Sequence, residues 1–211
     1  MEIIVQNEIL LLSALRAIYW PRKKVLILAD MHLGKTGYFR SKGIPIPSTV
    51  LADDLKRLSL LIDTHQPEVI VVAGDMFHHD YNADIDYFYT WRQQYSSVAF
   101  VLVPGNHDKL LNIDYRALDI ALTERKHWLE PFTIIHEPGK KADTFMISGH
   151  IHPGYAMAGR ARQTLRLPCF IVGQQQIILP AFSLFTGLYT GHRNINTNSY
   201  YLIGNDTIFK I

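Results

Sequence analysis

A single cysteine, Cys169, occurs among the 211 residues. No internal disulfide can form, which favours a reducing compartment. Its setting, Pro168-Cys169-Phe170-Ile171-Val172, suits a buried structural thiol. Long apolar runs are also missing. None approaches the ~20 residues that a membrane-spanning helix needs, so no membrane association is expected. The short apolar stretch Ile9 to Leu12 follows Glu2 and Glu8, where a signal peptide requires positive charge, and Arg16 cuts it short. A cytoplasmic protein is expected. Neither sign of charge dominates: Lys+Arg number 21 against 19 Asp+Glu, with a sequence pI of about 8.6. This mildly basic balance permits a polyanionic partner without requiring one. Repeats, low-complexity tracts and long charge runs are absent. What remains is an ordinary globular composition, 48% hydrophobic and 19% charged. Its length suits one large domain over 1–211 with a core that needs no disulfide.

The apolar pattern sets out the elements. Glu2 to Val5, Ile9 to Leu12 and Ala17 to Trp20 read as strands, with polar Gln6-Asn7 between the first two. Val25 to Ala29, Val69 to Ala73 and Ala99 to Val103 are continuous apolar runs, as in strands covered on both faces. Leu51, Leu55, Leu58 and Ile62 follow helical spacing, so a helix is expected over roughly Leu51 to His65, capped by Ser48 or Thr49. A second helix is expected from Asp84 to Tyr95. Thr144 to Ser148 is a further strand. After Pro168 the chain turns to short strands closing a second sheet, with a hairpin at Gly204-Asn205-Asp206. Together these suggest an α/β protein, a four-layer α/β/β/α sandwich of two mixed sheets with helices outside.

Five polar clusters interrupt this pattern, most of them directly after an apolar run. They are Asp30-Met31-His32, Gly74-Asp75, Gly105-Asn106-His107-Asp108, His136 and Gly149-His150-Ile151-His152. His, Asp and Asn are donors for divalent metals through imidazole nitrogen or side-chain oxygen. A buried strand has no use for them at its end, whereas an active site built on strand ends does. Asp30 and His32 lie two apart, which in extended backbone turns both to one side. His150 and His152 repeat that spacing. Each cluster also has a bland reading. Asp30 can be a helix cap and His32 a surface histidine, Gly74-Asp75 is common in nucleotide-binding proteins, and Gly105-Asn106 can be an ordinary turn. His136 gains weight only from the company it keeps.

In this order the clusters resemble the calcineurin-like metallophosphoesterases, with Asp-x-His, Gly-Asp, Gly-Asn-His, His and Gly-His-x-His. The likeness runs from Asp30 to His152. It implies the four-layer sandwich and two divalent metal ions. Asp30, His32 and His152 would hold the first, and Asn106, His136 and His150 the second. Asp75 would bridge them, and His107 would be catalytic rather than a ligand. Mixed imidazole, carboxylate and amide donors favour Mn, with Fe or Zn as alternatives and Mg less suited. Asp30-Met31-His32-Leu33-Gly34-Lys35, Phe39-Arg40, Gly43-Ile44-Pro45-Ile46-Pro47 and Gly74-Asp75-Met76-Phe77-His78 further resemble the ligase-associated DNA-damage-response endonucleases, the PdeM group. That likeness implies a DNA endonuclease in repair, with DNA as substrate and a DNA ligase or helicase as companions. His78 is a departure, since many superfamily members carry Asp there; it bears on the surroundings of the metals rather than on the ligands.

A small-molecule or cyclic-nucleotide phosphodiesterase is the alternative within this chemistry. Outside it, Ala29 to Thr36 meets a relaxed phosphate-loop pattern of a P-loop NTPase. Asp-Met-His-Leu is a poor phosphate cradle, however, and Gly37, Gly43, Pro45 and Pro47 speak against a helix starting at Gly34-Lys35-Thr36. A non-catalytic metal-binding scaffold would leave His107 without a purpose. For substrate binding, Tyr38, Phe39 and Arg40 are placed to stack on a base and grip phosphate. Lys140-Lys141, Arg160, Arg162 and Arg166 are candidates for a basic track. Oligomeric state leaves no trace in the sequence.

Overall fold

The computed structural model describes residues 1–47, 49–79, 81–108, 113–139, 143–159, 163–191 and 198–211. Ser48, Lys140, Lys141, Arg160 and Arg162 lie outside them, and with them most of the basic track. The chain opens as an antiparallel meander: β1 (Glu2–Val5), β2 (Glu8–Ser13), β3 (Ala17–Trp20) and β4 (Val25–Leu28). Gln6 and Asn7 both have positive φ, as the two-residue turn between β1 and β2 requires. From β4 the sheet continues in parallel through β5 (Val69–Ala73), β6 (Ala99–Val103) and β7 (Ile120–Leu122). The helices α1 (Lys35–Ser41), α2 (Thr49–His65) and α3 (Ala83–Gln93) occupy the crossovers.

The second sheet has the order β15-β14-β12-β13-β10-β9-β8. It comprises β8 (Lys126–Leu129), β9 (Phe132–Ile135), β10 (Phe145–Ser148), β12 (Thr164–Val172), β13 (Gln176–Ile178), β14 (Ser199–Gly204) and β15 (Thr207–Lys210). Among the described residues, the strand β11 (Gly154–Ala158) pairs only with β12. Asn205 and Asp206, both at positive φ, make the expected hairpin between β14 and β15. Within this sheet β9, β10 and β13 are parallel.

Strand alternation explains why the central runs are apolar throughout. Leu26, Leu28, Ile70, Val72 and Leu102 face Leu55, Leu58 and Ile62 of α2 and Phe88 of α3. The intervening Val25, Ile27, Val71 and Ala73 face Phe132, Ile134, Ile147, Phe170 and Ile177 across the sheet–sheet interface. The chain is thus the expected α/β sandwich of two mixed sheets. On the outer face of the second sheet, Cys169, Ile171, Ile178, Tyr200 and Leu202 are covered by Tyr155 of β11, Ile151 and Leu167. Strand β11 lies there instead of a helix among the described residues.

The expectation that no helix starts at Gly34-Lys35-Thr36 fails. A seven-residue helix, α1, does start at Lys35 despite Gly37, and Gly34 precedes it at φ 85°. Its support is remote. The buried Asp84 carboxylate accepts from Thr36 Oγ1 (2.5 Å), Gly37 N–H (2.6 Å) and Arg40 (2.5 Å). A carboxylate at the first turn suits both the free N–H groups and the helix dipole.

Candidate metal centre

All parallel strands of the two sheets except β7 and β13 deliver a donor just beyond their C-terminal ends. Asp30 and His32 follow β4, Asp75 follows β5, Asn106 follows β6, His136 follows β9, and His150 and His152 follow β10. The crevice beyond such strand ends is where α/β sheets gather ligands.

The donors do not arrive on extended backbone. Asp30, His32, Asp75, His150 and His152 have φ of 57°, 48°, 51°, 73° and 49°. Two-apart spacing therefore works here through left-handed residues, not through strand alternation. Each such residue costs roughly 1–2 kcal/mol, and loop-to-loop hydrogen bonds hold them. Asp30 N–H donates to the Gly74 carbonyl (3.0 Å), His32 N–H to that of Asp75 (3.0 Å) and Leu33 N–H to that of Met76 (2.8 Å). His150 N–H donates to both oxygens of Asp30, at 2.9 and 3.2 Å. Two glycines leave the room this needs. A Cβ on Gly74 would lie 2.0 Å from His136 Nδ1, and one on Gly105 would lie 2.1 Å from Asp75 Oδ1.

Two donor groups result. In the first, Asp30, His32 and His152 converge, with 3.3 Å between the Nε2 atoms of His32 and His152 and 3.5 Å from His152 Nε2 to Asp30 Oδ1. In the second, Asp75, His136 and His150 converge. His136 Nε2 lies 3.0 Å from His150 Nδ1, 3.0 Å from Asn106 Oδ1 and 3.5 Å from Asp75 Oδ1. His136 Nδ1–H donates to the Ala73 carbonyl at 3.0 Å, so its Nε2 turns a lone pair toward these atoms. Ligands about 2.0–2.1 Å from one metal ion stand about 3 Å apart, so both groups fit a divalent cation. Burial, the nearby Lys35 ammonium and the neighbouring imidazoles push His32 down to about 2, which keeps it neutral and able to ligate.

A third group, His32, His78 and His107, adjoins the first. His78 and His107 are stacked with centroids 4.7 Å apart, and burial together with His107 pushes His78 down to about 4. His107 N–H donates to Asp75 Oδ1 (3.1 Å) and its Nδ1–H to the His78 carbonyl (3.3 Å). Every histidine, aspartate and asparagine that the sequence nominated is therefore in one crevice.

Asp108, which ends the Gly-Asn-His cluster, carries no role that the sequence alone reveals. Its buried carboxylate accepts from Gly105 N–H (2.9 Å), Phe77 N–H (2.9 Å) and Met76 N–H (3.4 Å), tying the loops after β5 and β6 together. Burial raises its pKa, partly offset by those N–H groups. Of the suggested substrate residues, Arg40 is held by Asp84 and Phe39 packs edge-on against Phe185 at 5.8 Å. Tyr38 stacks on His79 at 4.0 Å. Arg166 is exposed on β12.

A family model described as calcineurin-like phosphoesterase matches residues 23–168. No curated protein matches by sequence. Among solved structures, that of the Pseudomonas putida nuclease MPE is similar at 31% identity and a TM-score of 0.86, covering 100% of this chain and 99% of that one. Yfce, a phosphoesterase from E. coli, aligns over 89% of this chain and 97% of its own at 15% identity and a TM-score of 0.41.

Proposed function

Since the chain belongs to the calcineurin-like phosphoesterase family, we propose that it is a dinuclear metal-dependent phosphodiesterase acting on DNA as an endonuclease. The observation that carries this reading is the convergence of two donor groups, from the strand ends of two different sheets, on one crevice. In it, Asp30, His32 and His152 would hold one ion and Asn106, His136 and His150 the other, with Asp75 as the carboxylate they would share. Two bound divalent ions supply a water activated near neutral pH and neutralise charge on the phosphoryl oxygens. The donor set suits Mn best, then Fe or Zn.

His107 serves as the acid for the departing alkoxide. A carbonyl can only accept, so the contact with His78 fixes the proton on Nδ1 and leaves Nε2 to take up and release the catalytic one. Among the described residues, Lys35 is the cation best placed for a phosphate oxygen. It is half-buried near His32 and His78, and its Nζ stands 5.6 Å from the Phe185 ring. Arg40 is less suited, being taken by Asp84. Tyr38 and Phe39, beside His78 and Phe185, offer ring surface to a base at the mouth.

The likeness to a nuclease over the whole chain favours a nucleic acid over a small diester. A place in DNA repair beside a ligase or helicase rests on the resemblance of the first two motifs to the ligase-associated endonucleases. The test is a side-by-side assay of Mn-loaded protein on bis-p-nitrophenyl phosphate, a cyclic nucleotide, and single-stranded and duplex DNA. Internal cleavage of DNA is expected. Cleavage of the chromogenic diester alone would remove the DNA reading, and a marked preference for the cyclic nucleotide would replace it.

A further inference from the structure

Residues 179–189, between β13 and β14, pass the metal centre without forming a helix or regular strand. Their main chain touches both ligand loops of the first donor group. Phe182 N–H donates to the Ala29 carbonyl (2.8 Å), Ser183 N–H to that of Asp30 (3.2 Å) and Tyr189 N–H to that of His152 (2.9 Å). Gly154 N–H donates back to the Tyr189 carbonyl at 2.9 Å. One strap thus joins the loop carrying Asp30 to the loop carrying His152. At its start Leu179 N–H donates to the Ser148 carbonyl at the end of β10 (2.7 Å), and among the described residues no hydrogen bond runs from residues 179–189 to Asp75, Asn106, His136 or His150 themselves.

The strap is held from behind by three charged side chains. Arg16, in the turn between β2 and β3, donates through Nη1 to the carbonyls of Ala181 (3.1 Å) and Ser183 (2.9 Å). Arg57 of α2 donates to the carbonyls of Phe182 and Leu15 and to Asp54 Oδ1, and lies 4.4 Å from the Phe182 ring centroid. Asp54 Oδ1 accepts from Leu184 N–H at 3.1 Å. Four consecutive residues, 181–184, are each fixed by one of these groups. Two guanidiniums around one carboxylate leave a partly desolvated positive charge, an arrangement that costs more than an apolar contact would. Burial and the charge of Arg57 push Arg16 down to about 10. Such a network is better suited to defining a geometry than to adding stability.

We propose that the strap anchored by Arg16, Arg57 and Asp54 is a positioning element that acts on the first metal ion more than on the second, because its main chain bonds directly to Asp30 and His152 and reaches His150 only through them. This rests on the dinuclear reading above. The test is Mn binding to the chelator-stripped full chain, read by calorimetry and by metal content after gel filtration. The variants are Arg57→Ala, Arg57→Lys and, as control, Arg92→Lys. Arg92 is also buried, but it bonds to the carbonyls of Tyr95 and Val98 and to Asp119, at the end of β6 remote from the donors. Wild type and Arg92→Lys are expected to bind two ions. Arg57→Ala should bind one ion at least tenfold more weakly and the other with a clearly smaller loss. If Arg57→Ala does not fold, Arg57→Lys carries the comparison, because an ammonium cannot reproduce the fork that serves three acceptors. Two ions at wild-type affinity in the Arg57 variants, equal weakening of both ions, or the same loss in Arg92→Lys would each overturn the proposal. Fewer than two ions in the wild type would overturn the dinuclear reading itself.

Discussion

Replacing Gly74 by alanine would perturb the centre with one methyl group. Gly74 has φ 83°, and the new Cβ would stand 2.0 Å from His136 Nδ1 and 2.4 Å from its Cγ, where ordinary contact begins at 3.4 Å. The imidazole must retreat by more than an ångström. A metal–nitrogen bond is only about 2.0–2.1 Å long, so His136 leaves the second donor group. The retreat also breaks the bond from Nδ1–H to the Ala73 carbonyl and leaves a buried donor unpaired. That costs about 1–3 kcal/mol, and alanine at positive φ roughly 1–2 kcal/mol more. The metal-free variant should melt at least about 4 °C below wild type, and Mn titration should show one ion lost. Gly43→Ala is the control, with φ 79° and nothing within 4 Å of the added Cβ. It shares the backbone cost and should keep both ions. If Gly74→Ala matched Gly43→Ala in melting and in metal content, the packing of His136 against Gly74 would be wrong.

Other perturbations separate the roles of neighbouring groups. His107→Ala should retain bound metal and lose turnover on a diester with a poor leaving group; a wild-type rate there would reject the acid role. Asp75→Ala should weaken both ions and also release the His107 main chain, and full retention of two ions would reject bridging. Burial holds His32 near pKa 2 and His78 near 4, below the ordinary value of about 6.5. The folded chain therefore binds fewer protons than the unfolded one below about pH 6.5, and their stabilisation, full above that pH, is lost as pH falls through the folded values. The urea midpoint of the metal-free protein should drop between pH 6.5 and 4, and His78→Gln should flatten the slope; equal slopes would contradict this. Burial pushes the Cys169 thiol up to about 12, so a thiol reagent at pH 8 should label unfolded but not folded protein.

The sequence revealed what is local. Val69–Ala73 and Ala99–Val103 are strands with the expected bounds because each is covered on both faces, and apolar periodicity reports coverage. The donors were legible because polar groups at the ends of buried strands are costly without a use. What depends on partners distant in the chain was not legible. Helix α1 forms because Asp84 collects the Thr36 hydroxyl, the Gly37 N–H and Arg40. The left-handed backbone of Asp30 and His32 depends on pairing with the Gly74–Met76 loop. Arg16 and Arg57 carry no motif, and only the fold brings them to the strap. Of the arguments the sequence offers against a P-loop, the one from helix breakers fails and the one from the poor Asp-Met-His-Leu cradle stands. A helix does follow Gly34, but the residues before it, Asp30 and His32, belong to a metal-donor group.

The central claim is that two ions share this crevice. Anomalous diffraction from crystals soaked in Mn tests it most directly. Two peaks are expected, one among Asp30, His32 and His152, the other among Asn106, His136 and His150, with an oxygen of Asp75 at ligand distance from each. A single peak, or a peak coordinated by His32, His78 and His107 in place of either group, would contradict it.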